Sequence, residues 1–175
     1  VDGFGGGWTQ SQKLNIMKDS RLGTYGAAAL FLALLLKFEL LVALASESVS
    51  FALTALLLGH VHSRAFAVSL ISSMHYVQLD DESKTKPVAE SLSRDSIRTI
   101  AITLVATSVI AYLLSPLSLF AFVSLFFVLG IVRVCVCMFV RSQIQGYTGD
   151  VLGAAQQVFE LTSYIILLAI LGGSQ

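Results

Sequence analysis

The sequence predicts an all-α, polytopic membrane protein, a bundle of about five transmembrane helices forming a single membrane domain over residues 1–175. Three observations carry that reading. Of the 175 residues 55% are apolar and only 13% are charged, about half the ~25% charge of a soluble domain, and the mean hydropathy is +0.80. The apolar residues gather into runs close to the ~20 residues that cross a bilayer as a helix, and most of the charged residues gather between those runs. A chain this apolar has ample surface to bury, which excludes disorder. Eleven basic residues balance eleven acidic ones, so there is no bulk attraction for nucleic acid.

The elements follow in order. Residues 1–25 are polar and glycine-rich, with Gly3, Gly5, Gly6 and Gly7 ahead of a helix capped by Thr9 or Ser11. In that helix Leu14 and Met17 fall on one side, with Lys13, Asn15 and Asp19 elsewhere, as in a short helix resting on a membrane surface. The first span is expected over 26–46 and the second over 51–74. A charged connector follows over 78–98, a solvated loop around Pro87 carrying Asp80, Asp81, Glu82, Lys84, Lys86, Glu90, Arg94, Asp95 and Arg98. Residues 99–132 contain no charge. As one helix they would measure about 51 Å, too long for a hydrocarbon core of about 30 Å. Ser115, Pro116 and Ser118 break the run, giving a short third span over 100–114 and a fourth over 119–140. A polar turn over 141–150 leads to the last span, 151–171. Cys135 and Cys137 lack zinc or CxxC spacing and read as buried, reduced thiols. The chain opens on Val1 without the pattern of a signal peptide, and its start is expected to lie inside a longer protein.

Basic residues orient the spans, because Lys and Arg favour cytoplasmic loops. Lys13, Lys18, Arg21, Lys84, Lys86, Arg94, Arg98 and Arg141 all fall on one side of a five-span arrangement, and the opposite loops carry no Lys or Arg. That side is expected to be cytoplasmic. It collects the glycine-rich start and the 141–150 turn, two segments far apart in sequence.

Those two segments hold most of the candidate chemistry. Asp2 beside a glycine cluster, with Lys18, Asp19 and Arg21 following, offers carboxylates for Mg²⁺ and cations for phosphate near backbone that an anion can approach. The spacing is not that of a P-loop, and a solvated linker remains the alternative. Asp150 opens the last helix, where an acid often only caps. At 100° per residue, however, Asp150, Gly153, Gln157 and Glu160 form a polar stripe that descends into the membrane, where acids face partners or wet cavities. Within spans one and two, Lys37, Glu39, His60 and Arg64 should pair. Contact of Glu39 with Arg64 or Lys37 is one reading, and cations lining a cavity for an anionic substrate is the other. His60 and His62 point apart on a helix, and Arg133 is placed to snorkel to the near end of span four.

The stretch Asp2-Gly3-Phe4-Gly5-Gly6-Gly7, followed by Ile16-Met17-Lys18-Asp19-Ser20-Arg21-Leu22-Gly23-Thr24-Tyr25-Gly26, resembles the signature of the cobalamin synthase, or adenosylcobinamide-GDP ribazoletransferase, family. The stretch from Gly146 to Gln157, Gly-Tyr-Thr-Gly-Asp-Val-Leu-Gly-Ala-Ala-Gln-Gln, resembles the same family's C-terminal motif. The resemblance implies a bacterial inner-membrane, multi-pass transferase of late cobalamin assembly. In it the hydroxyl of α-ribazole, or of its 5′-phosphate, attacks the phosphate linked to cobinamide in adenosylcobinamide-GDP and expels GMP, with Mg²⁺ required. It further implies Asp2, Asp19 and Asp150 as metal ligands, with Asp19, Asp150, Lys18 and Arg21 catalytic. Gly5, Gly6, Gly7, Arg64, Thr148 and Gln157 would hold the substrates. Partners are those substrates and the lipid bilayer, with a homo-oligomer left open. In the family an acidic run of the type Asp-Gly-Leu-Ala-Asp-x-x-Asp-Gly and two further hydrophobic segments precede this point, and here only Asp2-Gly3 of that run is present. A non-enzymatic transport subunit, with the intramembrane charges forming a path, is the competing class. No internal repeat of the transporter kind is visible in the spans.

Overall fold

Thr9 begins the first sizeable helix as a full capping box. Its hydroxyl accepts from the Gln12 N–H at 3.3 Å while the Gln12 side chain accepts from the Thr9 N–H at 3.2 Å, which satisfies two of the donors a helix start leaves open. In a computed structural model, which describes residues 1–77, 92–115 and 117–172, that helix is α2 (Gln10–Lys18), preceded by a single short turn, α1 (Asp2–Gly6). The chain continues as α3 (Thr24–Glu47), α4 (Val49–Ser69) with a 3-10 turn over Leu70–Ser73, α5 (Arg94–Leu114), α6 (Leu119–Ile144) and α7 (Gly149–Gly172). Among the described residues, α3 to α7 are five helices long and apolar enough to cross a membrane. The protein is an all-α, multi-pass membrane bundle.

Helix boundaries differ from expectation where a serine caps. Ser93 accepts from the Ser96 N–H at 3.0 Å and starts α5 at Arg94. The third span is therefore a full-length helix rather than a short one, and Arg94, Asp95 and Arg98 stand on its exposed first turns rather than in a loop. The connector residues Asp80, Asp81, Glu82, Lys84, Lys86, Pro87 and Glu90 lie outside the described residues, as does Pro116. Ser118 starts α6 by accepting from the Ala121 N–H. That helix runs on to Ile144 and stops where Gln145 turns left-handed at φ 61°, so the polar turn is shorter than expected.

Helices α4 and α7 form the central pair, flanked by α3, α5 and α6. Small residues allow their close approach, as is usual where lipid supplies no hydrophobic force between helices. Ala55, Gly59, Ala67 and Ala155 pack among the fully buried Leu58, Phe159, Tyr164 and Leu167. A Cβ at Gly59 would lie 2.5 Å from the Tyr164 ring. The outside is apolar: Leu113 is 73% exposed and Phe120 69%, a surface that suits lipid and not water. Cys135 also faces outward, so of the two free thiols only Cys137 is buried as expected.

Charges inside the spans resolve differently from the expected Glu39 contacts. Lys37 reaches across to Glu160 of α7 at 2.6 Å, and His60 Nδ1 approaches the same carboxylate oxygen at 2.9 Å. Tyr164 donates to it at 2.7 Å. The turn spacing that separates His60 from His62 sends the second ring to the Leu58 carbonyl and to Ser108. Arg133 holds the 3-10 turn through Ser69 Oγ at 2.7 Å, the Ser69 carbonyl at 2.9 Å and Ser73 Oγ at 2.5 Å, and Arg141 adds a bond to the Ser73 carbonyl.

Candidate functional site

The start of α3 is built from Asp2. Its N-cap residue, Gly23, has no side chain to accept a bond, and the carboxylate of Asp2 supplies what is missing. One oxygen accepts from the Gly23 N–H at 2.9 Å and the other from the Gly26 N–H at 2.8 Å, an anion placed on the positive end of a helix. The Gly26 bond is the largest cause holding the Asp2 carboxyl below its ordinary pKa. A Cβ on Gly23 or Gly26 would strike that carboxylate, so both glycines are steric requirements of the cap. Both Asp2 oxygens keep a further lone pair.

Gly5, Gly6 and Gly7 belong to or end the α1 turn rather than forming an open loop, and none of them has positive φ. Their smallness lets α1 sit against its neighbours: an added Cβ would meet the Tyr25 ring at 2.7 Å from Gly5 and the Lys13 side chain at 2.6 Å from Gly7. Gly3 likewise faces Met17, at 2.8 Å. Helix α2 is docked onto the end of α6, with Gln10 donating to the Ile144 carbonyl at 2.9 Å and Lys13 to Gln143 at 2.5 Å.

Past α2 the chain turns through Asp19, which accepts from the Arg21 backbone at 3.0 Å and from its guanidinium at 2.7 to 3.1 Å. Hydrogen bonding to the Arg21 side chain holds the Asp19 carboxyl at about 2. Asp2, Asp19 and Arg21 line one cleft of about 360 Å³ with Asn15, Ile16, Leu22 and Gly23. Lys18 precedes it as the last residue of α2.

The second motif meets the first. Thr148 lies 4.0 Å from the Met17 sulfur and caps α7 by accepting from the Val151 N–H at 3.3 Å. Capping therefore belongs to Thr148, and Asp150, exposed in the first turn, is relieved of it. Gly146 is held under the segment before the connector, where Tyr147 donates to the His75 carbonyl at 2.9 Å and accepts from the Val77 N–H at 3.0 Å. A Cβ on Gly146 would strike Val77 and the His75 carbonyl. Farther along α7, Gly153 and Gln157 are exposed, whereas Glu160 turns into the bundle. Gln157 and Arg64 line no part of the Asp2–Asp19 cleft; Arg64 lines a separate crevice between α4 and α5.

The structure thus brings the two motifs to one end of the bundle, with Asp2, Asp19 and Arg21 in one cleft. It does not gather Asp2, Asp19 and Asp150 into one cluster: no three metal-ligating His, Cys, Asp or Glu side chains come together among the described residues. Two carboxylates in one cleft still suit Mg²⁺, which takes one or two carboxylates and completes its shell with water and substrate phosphate. Sequence reasoning missed the cap that Asp2 provides. Its local signal is a helix opening on Gly23 with no capping side chain of its own.

Residues 1–168 match the family described as cobalamin-5-phosphate synthase. An adenosylcobinamide-GDP ribazoletransferase of Shewanella frigidimarina is 50% identical over 171 residues, 97% of this chain and 63% of that protein. The protein of that name from Shewanella halifaxensis is 52% identical over 174 residues, 99% of this chain and 64% of its own length. The chain thus spans a little under two thirds of these relatives. No solved structure matches it. With both motifs in place at one end of a five-helix bundle, the chain belongs to the cobalamin-5-phosphate synthase family.

Proposed function

We propose that the protein carries out, or forms most of the enzyme that carries out, the joining of adenosylcobinamide-GDP to α-ribazole or its 5′-phosphate. The products are adenosylcobalamin, or its 5′-phosphate, and GMP. The observation that carries this reading is the family match over residues 1–168, supported by the meeting of Met17 with Thr148 at the motif end. The α-ribazole hydroxyl oxygen forms a bond to the phosphorus linked to cobinamide as the bond from that phosphorus to GMP breaks. GMP leaves with the bonding electron pair, and the hydroxyl proton is released. In such a transfer positioning and charge neutralisation contribute most of the rate.

Arg21, fixed by its bidentate pair with Asp19, and Lys18 offset charge on the departing GMP. Thr148, beside Met17, would extend the substrate space from the cleft toward the second motif, while Gln157 lies outside the cleft. Mg²⁺ held by Asp2 and Asp19, with Asp150 the third candidate, would neutralise the diphosphate. The basic residues at the motif end, Lys13, Lys18, Arg21, Arg94, Arg98 and Arg141, support a cytoplasmic position for it in a bacterial inner membrane. Lys37, His60 and Glu160 close on one another, which favours a structural role for them over a translocation path.

The test is GMP release and adenosylcobalamin formation by membranes containing this chain, beside membranes containing a version of the relatives' length. Release that requires both organic substrates and Mg²⁺ is expected. Absence of release from both inserted proteins would overturn the reading.

A further inference from the structure

Residues 145–148 border two spaces. Thr148 meets Met17 of the first motif. Gln145, three residues earlier, lines a crevice of about 680 Å³ together with Arg141, His75, Leu92 and Ile97, a volume in the range of small-molecule sites. Backbone bonds fasten this crevice to the second motif. The Tyr147 N–H donates to the His75 carbonyl at 2.9 Å, the Tyr147 carbonyl accepts from the Val77 N–H at 3.0 Å, and the Tyr76 and Tyr147 rings pack edge to face. The crevice is distinct from the Asp2–Asp19 cleft, since no residue lines both.

Its lining is of two kinds. Leu92 and Ile97 are apolar, as are the buried Ile71 and Met74, whereas Arg141, Gln145 and His75 are polar, and no carboxylate lines it. Arg141 and Gln145 are four residues apart at the end of α6 and so share a face. The Arg141 guanidinium is fixed by the Ser73 carbonyl, and the turn carrying that carbonyl is itself clamped by Arg133 through Ser69 and Ser73. The Ser73 bond uses one of five guanidinium donors, and no carboxylate pairs with Arg141 among the described residues. Gln145 adds an independent sign. Among the described residues it is the only non-glycine with positive φ, 61°, a conformation that glycine or asparagine adopts more readily. Side chains kept on such backbone gather at ligand sites, and this one lines the crevice.

We propose that this crevice binds the second substrate of the reaction as its 5′-phosphate, with the phosphate on Arg141 and His75, the ribose hydroxyls toward Gln145 and the flat base against Leu92 and Ile97. The proposal rests on the function proposed above. A phosphate monoester carries close to two negative charges, and a guanidinium meets it with a planar fork of donors. The Asp2–Asp19 cleft suits such a group poorly, because its two carboxylates repel a phosphate unless a metal ion stands between them. The two substrates therefore divide: the diphosphate goes with Mg²⁺ to the cleft, and the monoester goes to the crevice that has a cation and no carboxylate. The 5′-phosphate takes no part in the bond changes, which involve a hydroxyl and the phosphorus linked to cobinamide. It serves as a handle that positions the hydroxyl.

The test places the chain in phosphatidylcholine nanodiscs and measures binding of α-ribazole and of α-ribazole 5′-phosphate by equilibrium dialysis, with no cobinamide substrate present. The 5′-phosphate is expected to bind about tenfold more tightly than α-ribazole, the worth of one good charge-assisted contact. Arg141→Gln is expected to remove most of that preference and Arg141→Lys to keep the larger part of it. Gln145→Gly is expected to weaken binding of both ligands while the thermal unfolding midpoint holds or rises, because glycine suits the left-handed backbone; a purely structural Gln145 would leave binding unmoved. Binding of neither ligand, equal binding of both, or equal weakening of both by Arg141→Gln overturns the proposal. An anionic headgroup is the other source of phosphate at this end of the bundle. Loss of the preference when phosphatidylglycerol is mixed into the discs would make the crevice a lipid site and overturn the proposal as well. Arg141-dependent binding without GMP release in the earlier assay would count against the transferase reading alone. Release alongside binding that ignores Arg141 would count against this site alone.

Discussion

Asp2 shows how one residue can look like chemistry and act first as architecture. A carboxylate beside glycines reads as a metal or phosphate site, and nothing in the sequence near Asp2 reveals that both its oxygens reach the backbone of Gly23 and Gly26. A cap delivered across 21 residues leaves only an indirect trace, a helix that opens on Gly23 with no capping side chain of its own. If the cap explains the glycines, Gly26→Ala and Asp2→Ala should each increase amide exchange over residues 23–26. Combined, they should do little more than either alone, because both remove the same bonds. Additive effects would separate the two residues. At Asp19 the expected carboxylate is present, and so is Arg21, but their mutual hold is a structural result. The folded carboxyl sits at about 2, below its ordinary 3.8, so whatever the pair contributes is present above the ordinary value and is lost as pH falls through about 2. Arg21→Gln should move the Asp19 titration up toward 3.8 in a carboxyl NMR experiment; an unmoved titration would remove Arg21 as its cause.

Among the elements, apolar run length and the Ser115–Ser118 break made all five spans legible; the sequence offers Thr9 or Ser11 as the first cap and Thr9 takes it, whereas Ser118, legible only as part of the break, proves to cap α6. The start of α5 was not legible, because Arg94, Asp95 and Arg98 look like loop residues until Ser93 is seen to cap them onto exposed first turns. Thr9→Ala should destabilise α2 by about 1 kcal/mol, the usual worth of such a cap, read as loss of protection over residues 10–18. The α4–α7 contact sets a stricter limit. Gly59→Ala would bring a methyl group into the Tyr164 ring, and overpacking of this kind costs about 1–3 kcal/mol. Thermal unfolding in detergent should show that loss, and Tyr164→Phe should leave it in place because the ring edge, not the hydroxyl, is struck first.

Over the whole molecule, the sequence shows that charges inside spans must pair, but not with which partner, since helix order and rotation are tertiary facts. Lys37 chooses Glu160, 123 residues away, over the nearby Glu39 because α3 packs against α7 on the Lys37 side. Glu160→Ala should therefore cost on the order of 3 kcal/mol by leaving Lys37 without its counter-charge, and a Lys37→Met, Glu160→Met double variant should recover most of that. The same tertiary arrangement joins the two motifs. Their sharing of one end was legible from the basic residues alone, whereas the docking of α2 on α6 that puts Met17 beside Thr148 was not.

The claim that these motifs work as one site is tested most directly at Asp150, which is exposed at the start of α7 while Thr148 does the capping. The measurement is Mg²⁺-dependent GMP release from adenosylcobinamide-GDP and α-ribazole by membranes carrying Asp150→Asn, with the amount of inserted protein matched to the unsubstituted chain. Abolished release with undiminished insertion is the predicted result. Full release from the variant would contradict it and remove the second motif from the chemistry.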